Sequence, residues 1–231
     1  MKTYKQTKIG DIVTQDFRAA EVFKKAGIDF CCGGSQSLEA ACRDKKLDVA
    51  EIESELSKLE NSEPGSSHKF NEWKLDFLCD YIVNTHHQTV MKLLPELTFY
   101  TQKIAEVHGD NHPELSEIAN LFAQVDTELR QHLCNEEEVL FPAIREVLKT
   151  NSAESKATII SEITRMTGEH EFAGGAMDKI NELSHSYAVP DDGCNTYRVA
   201  YKLLEQFEDD LHIHVHLENN ILYPKAMKLS V

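Results

Sequence analysis

From Trp73 onward, apolar residues recur three and four positions apart in four long segments, separated by the polar stretches 106–113 (EVHGDNHP), 148–155 (LKTNSAES) and 184–194 (SHSYAVPDDGC). That period belongs to amphipathic helices, and short connections between such helices predict an up-down four-helix bundle. Strand-like alternation is poor throughout, so the fold class is all-α. Pro95, Pro142 and Pro224 fall inside or near the ends of these helices, where a missing N–H predicts a kink or a helix end.

The first 60 residues read as a smaller helical domain. AAEVFKKAG ends at Gly27 as a C-terminal cap, and Asp48 with Glu51 resembles a capping box opening VAEIESELSKLE. Between them IDFCCGGSQS is a loop leading into a helix at about Ser37. NSEPGSSHKF has no apolar period and marks a linker, which divides the chain into 1–60, 61–72 and 73–231.

One motif occurs twice in the bundle. His132, three residues, Glu136 and then Val-Leu-Phe-Pro (139–142) is repeated as His214, three residues, Glu218 and then Ile-Leu-Tyr-Pro (221–224). Residues four apart on a helix share a face, so each repeat sets an imidazole beside a carboxylate. Eleven histidines compete for such a role, and the neighbours at helical offsets sort them. His132 sits among Leu121, Phe122, Val125, Leu129, Val139 and Leu140. His214 is surrounded by Leu203, Leu204, Phe207, Leu211, Leu217, Ile221 and Leu222, and His170 lies on the stripe of Ile159, Ile160, Ile163, Met166, Ala173, Met177 and Ile180. The first helix offers adjacent candidates, and Ile82, Val83, Val90, Leu93 and Leu94 favour His86 over His87. His212 and His216 have Glu208, Asp209, Asn219 and Asn220 as neighbours and read as solvent-facing.

Inward carboxylates are costly unless paired or bound to metal. Four imidazoles and two carboxylates suit a borderline transition metal better than calcium or magnesium, and exceed the four donors of structural zinc. They fit two iron ions bridged by carboxylates. Gly174, four residues after His170, cannot ligate, so one iron keeps an open position.

The balance of 24 basic and 39 acidic residues gives a net charge of −15, which argues against nucleic acid and anionic membranes as partners. No apolar run suggests a signal peptide or a membrane span, so the expected location is the cytoplasm. Six cysteines without a regular framework argue against a secreted disulfide scaffold.

Residues 73–231 resemble a hemerythrin-like bundle. With DFCCGG at 29–34, nearly the whole chain resembles the iron-sulfur cluster repair di-iron proteins, the RIC family. The resemblance implies His86, His132, His170 and His214 as terminal iron ligands, Glu136 and Glu218 as bridges, and an oxo-type bridge between the irons. It implies repair of clusters damaged by nitric oxide or oxidants, by supplying iron, with damaged iron-sulfur proteins as partners; a homodimer is one assembly the sequence leaves open. Nitric oxide reduction at the irons, or an O2- or NO-binding sensor, are the alternatives. Oxygen carriers differ in having a further histidine where Gly174 stands, and an Asp at longer spacing in the last helix.

Cys31 and Cys32 lie ahead of a helix N-terminus, which favours thiolates and suggests a redox or iron-transfer role. Cys42, Cys79, Cys134 and Cys194 read as packing or incidental residues. Glu169 reads first as a solvated side chain, or else as a proton carrier or a group supporting the ligands near the iron, and Glu137 and Glu138 read as a charged outer face.

Overall fold

The computed structural model describes residues 3–61 and 69–229, and among them the chain is helical with no β-sheet. Four short helices form the N-terminal unit: α1 (Ile9–Gln15), α2 (Ala19–Lys25), α3 (Leu38–Lys45) and α4 (Val49–Asn61). Gly27 follows α2 with φ +64°, the left-handed geometry a helix C-terminus favours. Ser37 caps α3 by accepting the Ala40 N–H. Asp48 accepts the amide of Ala50, so the expected cap is present without the reciprocal bond from Glu51. Tyr4, Ile9, Ile12, Phe23, Phe30, Leu38, Ile52 and Leu56 make a core of this unit's own.

The expected linker lies mostly outside the described residues. Its described end forms a single 3₁₀ turn, Phe70–Glu72, that buries Phe70 against Trp73 and Tyr81.

The bundle follows as α5 (75–108), α6 (114–150), α7 (Ala153–Leu183) and α8 (195–229). The connections fall inside the three polar stretches of the sequence. Three of the four helices contain one π-helical turn: Val83–His87 in α5, Glu136–Leu140 in α6 and Glu218–Leu222 in α8. Pro142 and Pro224 each stand just after such a turn. Lacking an N–H, they leave an upstream carbonyl unpaired and favour the wider turn there, so the repeated proline marks neither a helix end nor a simple kink.

The buried stripes carry the same signature. In α5 Leu75 and Ile82 are seven apart, Val90 comes eight later, and Leu97 and Ile104 resume the seven. In α6 the series is Leu115, Phe122, Leu129, Glu136, then Ile144. In α8 it is Tyr197, Leu204, Leu211, Glu218, then Ala226. Each step of eight crosses a π turn. The stripe of α7, Ile159, Met166, Ala173 and Ile180, never breaks step, and that helix has no π turn.

Two apolar clusters result. One contains Leu94, Leu97, Phe122, Leu129, Met177, Tyr201 and Phe207, the other Leu78, Ile82, Phe141, Ile144, Met166, Leu222 and Tyr223. The polar layer lies between them. Helices α7 and α8 are the least closely packed neighbours of the bundle, and the 28–34 loop of the N-terminal unit lies over their seam. Asn220 of α8 donates to the carbonyls of Phe30 and Cys31. Its side chain fills the space that Cβ atoms at Gly10 and Gly34 would need.

A candidate dinuclear metal centre beneath a cysteine loop

The three π turns stand at the same level and supply the layer's residues. His86 and His87 lie in the first, Glu136 opens the second and Glu218 opens the third. His132 and His214 sit one turn earlier on their helices, and His170 faces them from α7. Two donor groups form: His87, Glu136, His214 and Glu218 in one, His132, His170 and Glu218 in the other.

Each carboxylate stands between two histidines of different helices. Glu136 Oε2 is 3.2 Å from His87 Nε2 and 3.5 Å from His132 Nε2. Glu218 Oε2 is 3.2 Å from His170 Nε2, and its Oε1 is 2.9 Å from His214 Nε2. Two ions bridged by two carboxylates require this disposition.

The layer is poorly satisfied without a cation. Glu136 and Glu218 are 0% exposed, and among the described residues no Lys or Arg pairs with either. Glu136 Oε2, Glu218 Oε2 and His87 Nε2 are buried without hydrogen-bond partners. His132 Nε2 and His170 Nε2 face each other at 3.0 Å, so both cannot present bare lone pairs. Burial of an unpaired carboxylate costs several kcal/mol, and a divalent ion offsets that cost. Protons partly substitute for it. Burial pulls the His170 pKa down, but the close carboxylate and charge of Glu218, with Glu136, outweigh it and raise it to about 9. At His87 burial again opposes, and Glu136 and Glu218 raise the value to about 8.

The outward ring nitrogens of His87, His132 and His170 are held as metal-bound histidines commonly are. His132 Nδ1 meets Glu169 Oε2 at 2.7 Å, His87 Nδ1 meets Glu137 Oε1 at 2.7 Å, and His170 Nδ1 meets Asn219 Oδ1 at 2.9 Å. Glu169 and Glu137 therefore each hold an imidazole of a neighbouring helix: Glu169 takes the supporting place that is its second reading rather than a solvated one, and Glu137 is not simply part of an outer face. The aromatic before each repeated proline also serves the layer. Phe141 stacks on His87 and Tyr223 on His170, and the Tyr223 hydroxyl donates to Glu136 Oε1 at 2.9 Å.

The structure does not group His86 with the other donors. Its Nδ1 pairs with Asp210 at 3.0 Å, its ring stacks on His214, and it belongs to neither donor group. A π turn takes more residues per turn, so the fifth residue after Ile82, not the fourth, returns to the inner face. That residue is His87. His216 is not solvent-facing either: it is fully buried beside Phe17 and Phe30. His212 is half-buried against Phe30. The N-terminal unit covers that side of α8, and burial holds His216 down to about 4.

The cysteine loop abuts the layer from outside. Cys32 Sγ lies 3.5 Å from the backbone oxygen of His170 and 4.0 Å from Cys31 Sγ. The thiolate expectation fails at Cys31. Asp29 already accepts the amides of Cys31, Cys32 and Gly33, so those donors are not free to stabilise sulfur. Its hydrogen bond with Cys32, then burial, then the charge of Asp29 hold the Cys31 thiol well above its usual range.

Two family models match the chain. Residues 5–60 match ScdA_N, described as a domain of unknown function (DUF542), and residues 80–226 match the hemerythrin HHE cation binding domain. Among curated relatives, the iron-sulfur cluster repair protein YtfE of Pectobacterium carotovorum is 34% identical over 225 residues, covering 97% of this chain and 98% of its own length. YtfE of Yersinia pseudotuberculosis is 32% identical over 225 residues, covering 97% and 98%. The iron-sulfur cluster repair protein ScdA of Staphylococcus epidermidis is 30% identical over 223 residues, covering 96% and 98%. A hemerythrin-type cation-binding bundle behind a ScdA_N domain, matched end to end by these relatives, places the chain in the iron-sulfur cluster repair protein family.

Proposed function

We propose that this protein repairs damaged iron-sulfur clusters through a dinuclear iron centre held by His87, His132, His170 and His214, with Glu136 and Glu218 as bridging carboxylates. The observation that carries the reading is the buried, cation-deficient layer of four imidazoles and two carboxylates. A mixed nitrogen and oxygen donor set of this size suits iron, and the relatives bearing the same two domains are named as repair proteins. When bound, the irons supply redox capacity and a source of the metal itself.

The chain's own residues do the rest. Glu169, Glu137 and Asn219 fix the tautomers and ring angles of three ligands, and Tyr223 donates to the outer oxygen of Glu136. The two apolar clusters exclude water from either side of the layer. Cys31 and Cys32 stand at the point of exchange with the outside, in agreement with a role in moving iron or electrons.

The test joins stoichiometry to activity. Purified protein should carry about two irons per chain with a coupled Mössbauer spectrum, and should restore an oxidant-damaged [4Fe–4S] dehydratase. Fully loaded protein that restores nothing, or protein holding a single uncoupled ion, sinks the reading.

A further inference from the structure

A second group of metal-type donors lies outside the dinuclear layer, at the seam between the N-terminal unit and the bundle. Asp178 of α7 and Glu208 and His212 of α8 each offer an atom, all within 4.8 Å of one another. These residues share no donor with the layer. His212 precedes His214 by two positions and points to the other side of α8.

The surroundings are built for a guest. The three residues line a cavity of about 560 Å³ whose opposite wall is Lys24, Ile28, Asp29 and Phe30 of the N-terminal unit. A smaller cavity of about 180 Å³ shares Asp29, Asp178 and His212 and reaches Cys31, Cys32 and Gly174. Glu208 is 6% exposed, and its carboxylate receives the Asn181 amide at 2.9 Å. The Tyr187 hydroxyl is buried in the same wall without a well-formed hydrogen bond, although Glu208 and Asn181 neighbour it.

Charge points the same way. Asp29, Asp178, Glu208 and Asp209 converge on the seam. Lys24 is engaged with Asp209 at 2.5 Å, and Lys45 acts on Asp178 from a distance, so among the described residues no Lys or Arg pairs with Glu208. A buried carboxylate in acidic company lacks compensation that a small cation provides.

We propose that Asp178, Glu208 and His212 bind a further divalent first-row transition ion, which clasps the cysteine-bearing loop to the bundle. One imidazole and two carboxylates, with water completing the shell, suit such an ion better than calcium, which takes six to eight oxygens. The ion offsets repulsion between Asp29 on one side of the seam and Asp178 and Glu208 on the other. It thereby holds residues 28–34 in place over the layer. The dinuclear reading does not depend on this site, and failure of either leaves the other standing.

The experiment uses the iron-containing protein as isolated, titrated with Mn(II) while electron paramagnetic resonance counts free manganese. Wild type should take up one further equivalent, and E208Q and H212Q should each weaken it at least tenfold without changing iron content. D178N, altered at an exposed residue, gives the same reading should either buried variant fail to fold. Hydrogen exchange of amides 28–34 should slow with Mn(II) in wild type and not in E208Q. E205Q, which changes a charge in the same cavity outside the triad, should bind normally. Absence of the extra equivalent, its retention in all three triad variants, or an equal loss in E205Q would overturn the proposal.

Discussion

The Cys32 thiol occupies the space that a side chain at residue 174 would fill: a Cβ built on Gly174 comes within 3.2 Å of Cys32 Sγ. The glycine explains two things at once. It removes a ligand from α7, and it lets the cysteine loop of another domain close over the position left bare. Gly174→Ala should therefore push the loop outward, because the sulfur must give by a few tenths of an ångström. Alkylation of Cys32, read by mass spectrometry, should quicken several-fold while iron content stays the same. Unchanged labelling would mean that the loop is not seated on the glycine.

His87 and His86 make opposite predictions. His87→Ala removes a donor of the first group and should cut iron content by half or more. His86→Ala should keep its iron and lose stability, since a buried ring stacked on His214 leaves a cavity costing about 2–4 kcal/mol. Metal analysis and thermal melts of both variants separate the two roles.

Cys194 departs from its expected incidental status. It stands at the N-cap position of α8, its Sγ lies 3.2 Å from His108 Nε2, and it is exposed. The His108 contact first, then the Tyr197 amide, lower its pKa to about 7. Among the six thiols it should react fastest with iodoacetamide at pH 7, with a rate that climbs with pH through about 7 and then levels. His108→Ala should move that rise upward by a unit or more. A profile centred above 8.5 in wild type contradicts the pairing.

Glu208 ties stability to pH. Burial raises its pKa from 4.5 to about 7, against the bond from Asn181 and the neighbouring Tyr187 hydroxyl. A carboxylate whose folded pKa is raised contributes stability that is complete below pH 4.5 and lost as pH climbs through 7. The shift of about 2.5 units corresponds to a loss on the order of 3 kcal/mol at alkaline pH. In chelator-treated protein, Glu208→Gln should raise the melting temperature at pH 8 and leave it nearly unchanged at pH 5. Equal melting of both proteins at pH 8 would refute the assignment.

The helical periods were legible in the sequence because each bundle helix buries one stripe, and the repeated His-x-x-x-Glu motif located two of the four helices of the site. Asking which residues share a face singled out His132, His170 and His214, which converge in the buried polar layer. The same question failed at His87, because a π turn breaks the 100° step on which the counting rests. It failed at His216 because Phe17 and Phe30, distant in sequence, cover that face. Glu137 was missed, and Glu169 ranked too low, for a related reason: each points away from its own helix's stripe and toward a histidine on another helix. The lengthened steps from Ile82 to Val90, Glu136 to Ile144 and Glu218 to Ala226 were in the sequence all along, and they mark the level of the site.

Those lengthened steps also limit how the centre could be transplanted. A regular heptad scaffold given the same six ligands at the same heights would aim its carboxylates beside the centre, not into it. Removing one residue from a π turn would straighten the helix yet rotate everything beyond it by about 100°, turning Ile144 or Ala226 toward water. The chain thus resembles two ordinary bundles spliced end to end out of phase, with the splice itself serving as the place where metal fits.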